Sequence, residues 1–286
     1  MHQKIVDLYK EYVDGSLDRR DFLKRLACIT GGTITAYATL TQLEANSAIA
    51  EIVPKNDPRL HTETVLYPGE TGDMRAYWAR PKSKEQLPGV IVIHENRGLN
   101  AHIRDVTRRM ALEGFLAVAP DALSPLGGTP EDPNEAQPKF RELDGPDTIK
   151  NFVAAVKYLK THPLSTGKVG CTGFCWGGGI TNQVAVHSLD LSAAVPYYGS
   201  QPAADDVPKI KASLLLHYAG LDERINKGIP AFEKALKLAK VDYKLYIYEG
   251  AQHAFNNDTN SSRYNKEAAE LAWKRTIMFF KEKLLI

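Results

Sequence analysis

The sequence predicts an α/β fold: a mostly parallel sheet with helices on both faces, preceded by an N-terminal helical extension. Three observations predict it. From residue 60 onward, short apolar runs alternate with amphipathic segments, the pattern of strands joined by crossover helices. One run, 90–94, reads Val-Ile-Val-Ile-His and is apolar almost throughout, as a strand buried on both faces must be. Residues 1–50 lack this alternation and carry helical spacing instead.

The elements follow in order. Residues 73–79 read as an early strand that Arg80-Pro81 ends, because proline cannot donate to a ladder. The strand at 90–94 comes next. Residues 101–113 are helical until Gly114 stops them, and 115–119 form another strand. The segment 120–145 is rich in Pro, Gly and Asp and reads as a long loop, of the kind that is functional or mobile. A helix at 149–159 sets Val153, Val156 and Leu159 on one face. A strand at 168–174 and a helix at 180–186 follow. Residues 192–198, 213–218 and 243–248 are three more strands, with a helix at 229–238 between the last two and a closing helix at 266–284. The chain has no internal repeat and no low-complexity tract.

The 286 residues suit one α/β domain, 51–286, with the extra segment 1–50. A hydrophobic share of 43% and a charged share of 24% are ordinary for a globular chain, and a core can be built. A net charge of +2, with no long basic run, argues against a nucleic-acid partner. Three cysteines, Cys28, Cys171 and Cys175, are too few and odd in number for a disulfide framework. Cys171 and Cys175 lie four apart without a matching His/Cys pair, so no zinc site is expected.

Two readings of residues 1–50 stand side by side. Arg19-Arg20-Asp21-Phe22-Leu23-Lys24 resembles a twin-arginine export motif, and Ala48-Ile49-Ala50 fits a small-residue cleavage site. The uncharged stretch between them, 26–43, holds five threonines and two glycines and is too polar for stable membrane insertion. On this reading the protein is exported or periplasmic. Against it, residues 1–18 carry Asp7, Glu11, Asp14 and Asp18 against two lysines, whereas a targeting segment should start positive. Ile5, Leu8, Tyr9 and Tyr12 sit at helical spacing, Gly15-Ser16 breaks that helix, and 17–26 resumes it. On this second reading a helical hairpin packs on the domain, or on a second copy to make a homo-oligomer, in a cytoplasmic protein.

The sharpest feature is Gly173-Phe174-Cys175-Trp176-Gly177-Gly178-Gly179, between an apolar strand and a helix. That context is the nucleophile elbow of an α/β-hydrolase, where the central residue sits in a strained turn. Strand and helix approach closely there, so the flanking positions must be very small, and Gly173 and Gly177 occupy them. Cys175 stands where serine is commoner. The spacing matches neither a dinucleotide nor a P-loop fingerprint. Cys171 lies within the strand and reads as a small buried thiol.

In this fold the triad runs nucleophile, acid, histidine along the chain. Of eight histidines, His217 and His253 lie well downstream of Cys175, and His187 falls on the elbow helix. His217 sits inside the apolar run Leu214-Leu215-Leu216-His217-Tyr218 and reads as structural. His253 follows a strand in Glu249-Gly250-Ala251-Gln252-His253-Ala254-Phe255, where catalytic residues of α/β sheets gather. Asp222, after another strand, is the candidate acid. A thiol must lose its proton to attack, an imidazole can take it, and a carboxylate can fix the imidazole tautomer.

With Asp222 and His253, the elbow resembles the dienelactone hydrolase family, and His94-Glu95-Asn96-Arg97-Gly98-Leu99-Asn100 strengthens the likeness. The resemblance covers about residues 60–286, and four separated motifs agree in order. It implies hydrolysis of an enol lactone or similar ester, a small-molecule substrate, through an acyl-cysteine, and it implies no cofactor. It also implies that Glu95 holds the resting thiol, and that the backbone N–H groups of Trp176 and Asn96 form an oxyanion hole. The family proper carries an arginine four residues after the histidine to grip a substrate carboxylate. Here that position is Asn257; Arg97 or Arg141 is the candidate replacement for the arginine, and Arg97, Tyr198 and Asn257 are the candidate substrate-binding residues. Two other readings compete: a hydrolase fold kept for binding or assembly, and thiol redox chemistry at Cys175, which lacks a nearby resolving cysteine.

Overall fold

The computed structural model describes residues 2–13, 17–47, 51–83 and 85–285. Strands β1 (Leu60–Gly69), β2 (Gly72–Pro81), β3 (Leu87–Ile93), β4 (Leu116–Pro120), β5 (Ser165–Phe174), β6 (Ala193–Tyr197), β7 (Ser213–Ala219) and β8 (Tyr243–Tyr248) form one sheet. Their order is β1-β2-β4-β3-β5-β6-β7-β8. β2 runs antiparallel to both its neighbours, and every other pair is parallel. The helices are α1 (His2–Val13), α2 (Arg19–Thr30), α3 (Thr33–Ser47), α4 (Ala101–Leu112), α5 (Pro133–Lys139), α6 (Gly145–Thr161), α7 (Trp176–His187), α8 (Glu223–Asn226), α9 (Ile229–Ala239) and α10 (Lys266–Leu284).

Alternation along the central strands explains their continuous apolar sequence. Val90 and Val92 of β3, with Ala117 and Ala119 of β4, face α4 and α10, where Ile103, Val106 and Phe280 meet them. Ile91, Ile93, Leu116 and Val118 face the other way, onto Phe152 and Val156 of α6 and Val184 of α7. Both faces of a parallel sheet are thereby buried. Side-chain caps fix several helix starts: Asn100 accepts from the Ile103 amide, Asp144 from Asp147 and Asn265 from Ala268.

The structure departs from the sequence reading in several places. β1 has no counterpart in that reading. It is an edge strand whose Thr-Glu-Thr stretch leaves only Leu60 and Tyr67 buried, so it lacks an apolar signature. The long loop at 120–145 contains a 3-10 turn (Ser124–Leu126) and α5, hidden by the prolines that each includes. α6 and α7 both start four residues earlier than apolar spacing suggests, because their first turns hold Gly, Pro and Trp-Gly-Gly. β3 stops at Ile93, leaving His94 in the turn beyond.

Helices α1 to α3 make an apolar cluster of their own from Leu8, Tyr12, Phe22, Leu26, Ala36 and Leu40, with Ile5, Tyr9 and Leu23 half-buried around it. Tyr12 stacks on Phe22 with ring centroids 4.5 Å apart. Gly31, at φ 82°, closes α2 in a left-handed cap that turns the chain into α3. Gly15-Ser16 and Ala48-Ile49-Ala50 lie outside the described residues. Among those described, no helix is long and apolar enough to cross a membrane. Arg19 of the double-arginine motif forms an ion pair with Asp132 at 2.7 Å.

The chain enters the sheet domain through a polar clamp. Asp105 accepts the amides of Ile52 (3.1 Å) and Val53 (2.8 Å). Arg108, fully buried, donates to the Val53 carbonyl at 2.6 Å and faces Glu51 and Asp105. A buried guanidinium needs such partners, since an unpaired one is costly.

Candidate active site

The site forms where the C-terminal ends of β3, β5, β7 and β8 meet, the usual ligand edge of a parallel sheet. Its centre is the turn from β5 to α7. Cys175 occupies it at φ 56°, ψ −114°, a region that non-glycine residues rarely enter. Its amide donates to the Tyr197 carbonyl at 3.1 Å, which pins the turn to the neighbouring strand. The glycines are required by contact as well as by conformation. A Cβ on Gly173 would lie 2.3 Å from the Gly177 carbonyl oxygen, and one on Gly177 would lie 2.4 Å from the His94 oxygen. Strand end, elbow and the His94 turn are therefore in backbone contact.

Three sequence candidates come together at this point. His253 Nε2 lies 2.9 Å from Cys175 Sγ, and its Nδ1 lies 2.5 Å from Asp222 Oδ2. Asp222 caps α8, accepting from Ile225 N–H at 3.3 Å, so its carboxylate is fixed from both sides. Burial disfavours the imidazolium, but hydrogen bonds and charge from Asp222 and Cys175 outweigh it and raise His253 to about 9. Burial likewise works against the Asp222 carboxylate, yet its contact with His253 leaves it below the ordinary carboxylate range.

Glu95 is buried, and its Oε2 accepts from Asn257 Nδ2 at 2.7 Å. Glu95 and Cys175 both act on Tyr198, which places the carboxylate in the same site as the thiol. The thiol faces His253, and it is Asn257, at the position where the family carries arginine, that engages the Glu95 carboxylate. Asn257 Oδ1 also accepts from Thr259, so its amide is committed within the protein. Tyr198 lies beside the base with ring centroids 5.1 Å apart. Burial, and then the charges of Glu95 and Cys175, push its hydroxyl well above the ordinary tyrosine value. Arg97 sits half-buried in the turn after Glu95, and Arg141 is exposed on the loop before α6.

Trp176 opens α7, and Asn96 follows Glu95 in the turn closed by Gly98 N–H to Glu95 O at 3.3 Å. Neither the Asn96 nor the Trp176 amide has an acceptor among the described residues. His217 is held in the core, with Tyr248 on one ring nitrogen and Thr276 on the other, and burial pushes it down to about 3. Cys171 is fully buried and its thiol is pushed up to about 12 by burial, a state in which it is inert.

Sequence reasoning missed a cavity of about 360 Å³ beside the imidazole–carboxylate pair, lined by Leu221, Asp222, Arg224, Gln252, His253 and Arg263. Arg263 belongs to the turns before α10, and no periodicity marks it. The only usable signal was that these loops follow β7 and β8.

The pattern that describes the dienelactone hydrolase family matches residues 74–284. The chain belongs to that family. Within it, a protein of Escherichia coli O157:H7, provisionally named a carboxymethylenebutenolidase, is 34% identical over 83% of this chain and 93% of its own. The crystal structure of a provisionally named dienelactone hydrolase from Klebsiella pneumoniae covers 77% of this chain and 98% of its own, at 32% identity and a TM-score of 0.70. A dienelactone hydrolase-like promiscuous phosphotriesterase from metagenomic libraries, 24% identical, shares the fold with a TM-score of 0.71 over 79% of this chain and 99% of its own. This dienelactone hydrolase-family chain is thus a hydrolase on an α/β-hydrolase fold.

Proposed function

We propose that the chain hydrolyses a carboxylic ester or lactone through an acyl-enzyme on Cys175. The observation that carries this reading is the line Cys175 Sγ–His253 Nε2–Asp222, at 2.9 and 2.5 Å, anchored on a strained elbow. The thiol proton passes to His253 Nε2, a transfer favoured by the raised proton affinity of that ring. Sulfur then bonds to the substrate carbonyl carbon, and the carbonyl oxygen becomes an oxyanion. The uncommitted amides of Trp176 and Asn96 are the donors for it. Each such donor is worth about 3 kcal/mol of barrier. Collapse of this adduct expels the alcohol or enol oxygen, which takes the proton from His253. Water, deprotonated by the same imidazole, cleaves the thioester and restores the thiol.

The name of the Escherichia coli relative supports a butenolide-type lactone as the substrate class. The position four after His253 gives no cation here, because it is a neutral asparagine whose amide is spent on Glu95. Arg224 and Arg263, lining the cavity beside His253, are the candidate grip for a substrate carboxylate. The testing experiment is intact-mass spectrometry after a brief mix with activated lactones and short esters. A covalent adduct that maps to Cys175 and decays in water is the expected result. Hydrolysis unimpaired in Cys175→Ala would overturn the reading.

A further inference from the structure

His94 takes no part in the acyl-transfer steps above, yet it is completely buried. Its tautomer is dictated by its partners. Nδ1 faces the Glu95 carbonyl oxygen at 2.7 Å, and an oxygen there can only accept, so Nδ1 carries the proton. Nε2 faces the Ala122 amide at 3.1 Å, which can only donate, so Nε2 presents its lone pair. Burial holds the ring's proton affinity below that of an ordinary histidine, the nearby Asp121 carboxylate notwithstanding. The neutral ring therefore joins the first residues beyond β4 to the peptide between Glu95 and Asn96.

That peptide matters because its other end is the Asn96 N–H. Peptide groups are planar, and in the trans form the N–H points opposite to the preceding carbonyl. Fixing the Glu95 carbonyl against His94 Nδ1, with the Gly98 amide adding a second tether at 3.3 Å, fixes the Asn96 N–H to point away from the ring. The other candidate donor is tied to the same ring. Trp176 stacks on His94, centroids 5.6 Å apart and planes 9° apart, and Phe140 sets its edge against both. The His94 carbonyl, meanwhile, abuts Gly177 of the elbow.

We infer that His94 is a positioning residue for the oxyanion hole, orienting the Asn96 amide through the Glu95 carbonyl and supporting Trp176 by its ring face. This inference rests on the acyl-cysteine reading above. Because the hole acts only once charge develops, loss of His94 lowers kcat and spares substrate binding.

The test compares His94→Leu and His94→Asn in the full chain, using an ester that the wild type hydrolyses. His94→Leu keeps the bulk but removes the donor. Its kcat should fall by about 10²-fold or more, the loss typical of one oxyanion donor, while KM stays within about threefold. The side-chain amide introduced by His94→Asn can still donate to the Glu95 carbonyl, so this second variant should recover at least a tenfold part of that loss. Alkylation of Cys175 by iodoacetamide creates no oxyanion, so its rate should be equal in the wild type and both variants. An unchanged kcat in His94→Leu, or an alkylation rate that falls in parallel with kcat, overturns the inference. Should His94→Leu not fold, the wild type decides. An aldehyde that adds to Cys175 as a hemithioacetal should shift the NMR signal of the His94 Nδ1 proton, and no shift counts against the role. Failure of the underlying reading is distinguishable, because then the wild type forms no acyl-enzyme at all.

Discussion

Asn257 donates to the buried Glu95 carboxylate at 2.7 Å, so the residue four after His253 faces a protein carboxylate. A buried carboxylate deprived of its donor bears a desolvation cost of about 1–3 kcal/mol. Asn257→Leu should lower the urea unfolding free energy by about that amount. Glu95→Gln should cost less, because a neutral amide oxygen still accepts from Asn257 and is cheaper to bury. An unfolding free energy unchanged in Asn257→Leu would show that the pair does not bear on stability.

The thiol's contact with His253 makes a separate prediction. Cys175→Ala and His253→Ala should each reduce turnover by several orders of magnitude, and Asp222→Asn by less, since the imidazole keeps its contact with sulfur. His253→Asn should also slow iodoacetamide labelling at Cys175 near neutral pH, because the proton acceptor is gone. Peptide mapping reads the labelled site. Labelling as fast as in the wild type would detach the imidazole from the thiol's reactivity.

Charge at the same residues sets a pH dependence. His253 is raised to about 9 in the folded protein, against about 6.5 for an unfolded histidine. Its protonated form therefore adds stability that is fully present below about 6.5 and is lost as pH rises through about 9. Asp222 is lowered, so its contribution is present above the ordinary carboxylate range and is lost as pH falls through its folded value. In Asp222→Asn the imidazolium loses its anion. The stability gap between wild type and this variant should be wide at about pH 6 and should narrow by about pH 9.5. A gap constant across that range would contradict the charge coupling.

How much of this was legible in the sequence depends on the signal each part leaves. Cys175, Asp222 and His253 sit at strand ends in a fixed chain order, and the elbow glycines are demanded by the close approach of Gly177 and His94 backbone, so spacing alone reveals them. The central strands were legible because burial on both faces forces an apolar run. β1 was not, since an edge strand needs only Leu60 and Tyr67 inside. The partner of Glu95 was also hidden. Asn257 lies 162 residues away, and nothing in its local sequence distinguishes a side chain aimed at a carboxylate from a turn residue. His94 escaped for the same reason: its two hydrogen bonds are to backbone atoms, which any sequence could supply.

Arg263 and Arg224 line the cavity beside His253, so their effect should depend on substrate charge. Arg263→Gln should raise KM about tenfold for an ester carrying a carboxylate, a loss of about 1.4 kcal/mol, and should leave a neutral ester of the same shape within about twofold. Added salt should weaken the anionic substrate in the wild type more than in the variant. Parallel changes for both esters would place the anion elsewhere.

Helices α1 to α3 bury Phe22 completely in a cluster that shares no residue with either face of the sheet. We therefore expect the segment 1–50 to be separable from the domain 51–286. The clamp on residues 51–53 sets where a cut can fall. A chain starting at Glu51 keeps the Asp105 contacts to Ile52 and Val53 and the Arg108 contacts to Val53 and Glu51. Its ester turnover should match the full chain within about twofold, since no residue of the thiol–imidazole–carboxylate line is touched. A chain starting at Lys55 strips both partners in that segment from a fully buried guanidinium. Losing a hydrogen bond to a charged group costs about 1.5–3 kcal/mol, and for a domain of this size 1 kcal/mol shifts Tm by about 2–4 °C. The second truncation should therefore melt roughly 3–12 °C below the first. Differential scanning calorimetry on the two truncations and the full chain makes the comparison. Equal melting of the two truncations would remove the clamp from the account. A large loss of activity on cutting at Glu51 would tie the N-terminal helices to the site, with the Arg19–Asp132 ion pair as the first contact to probe.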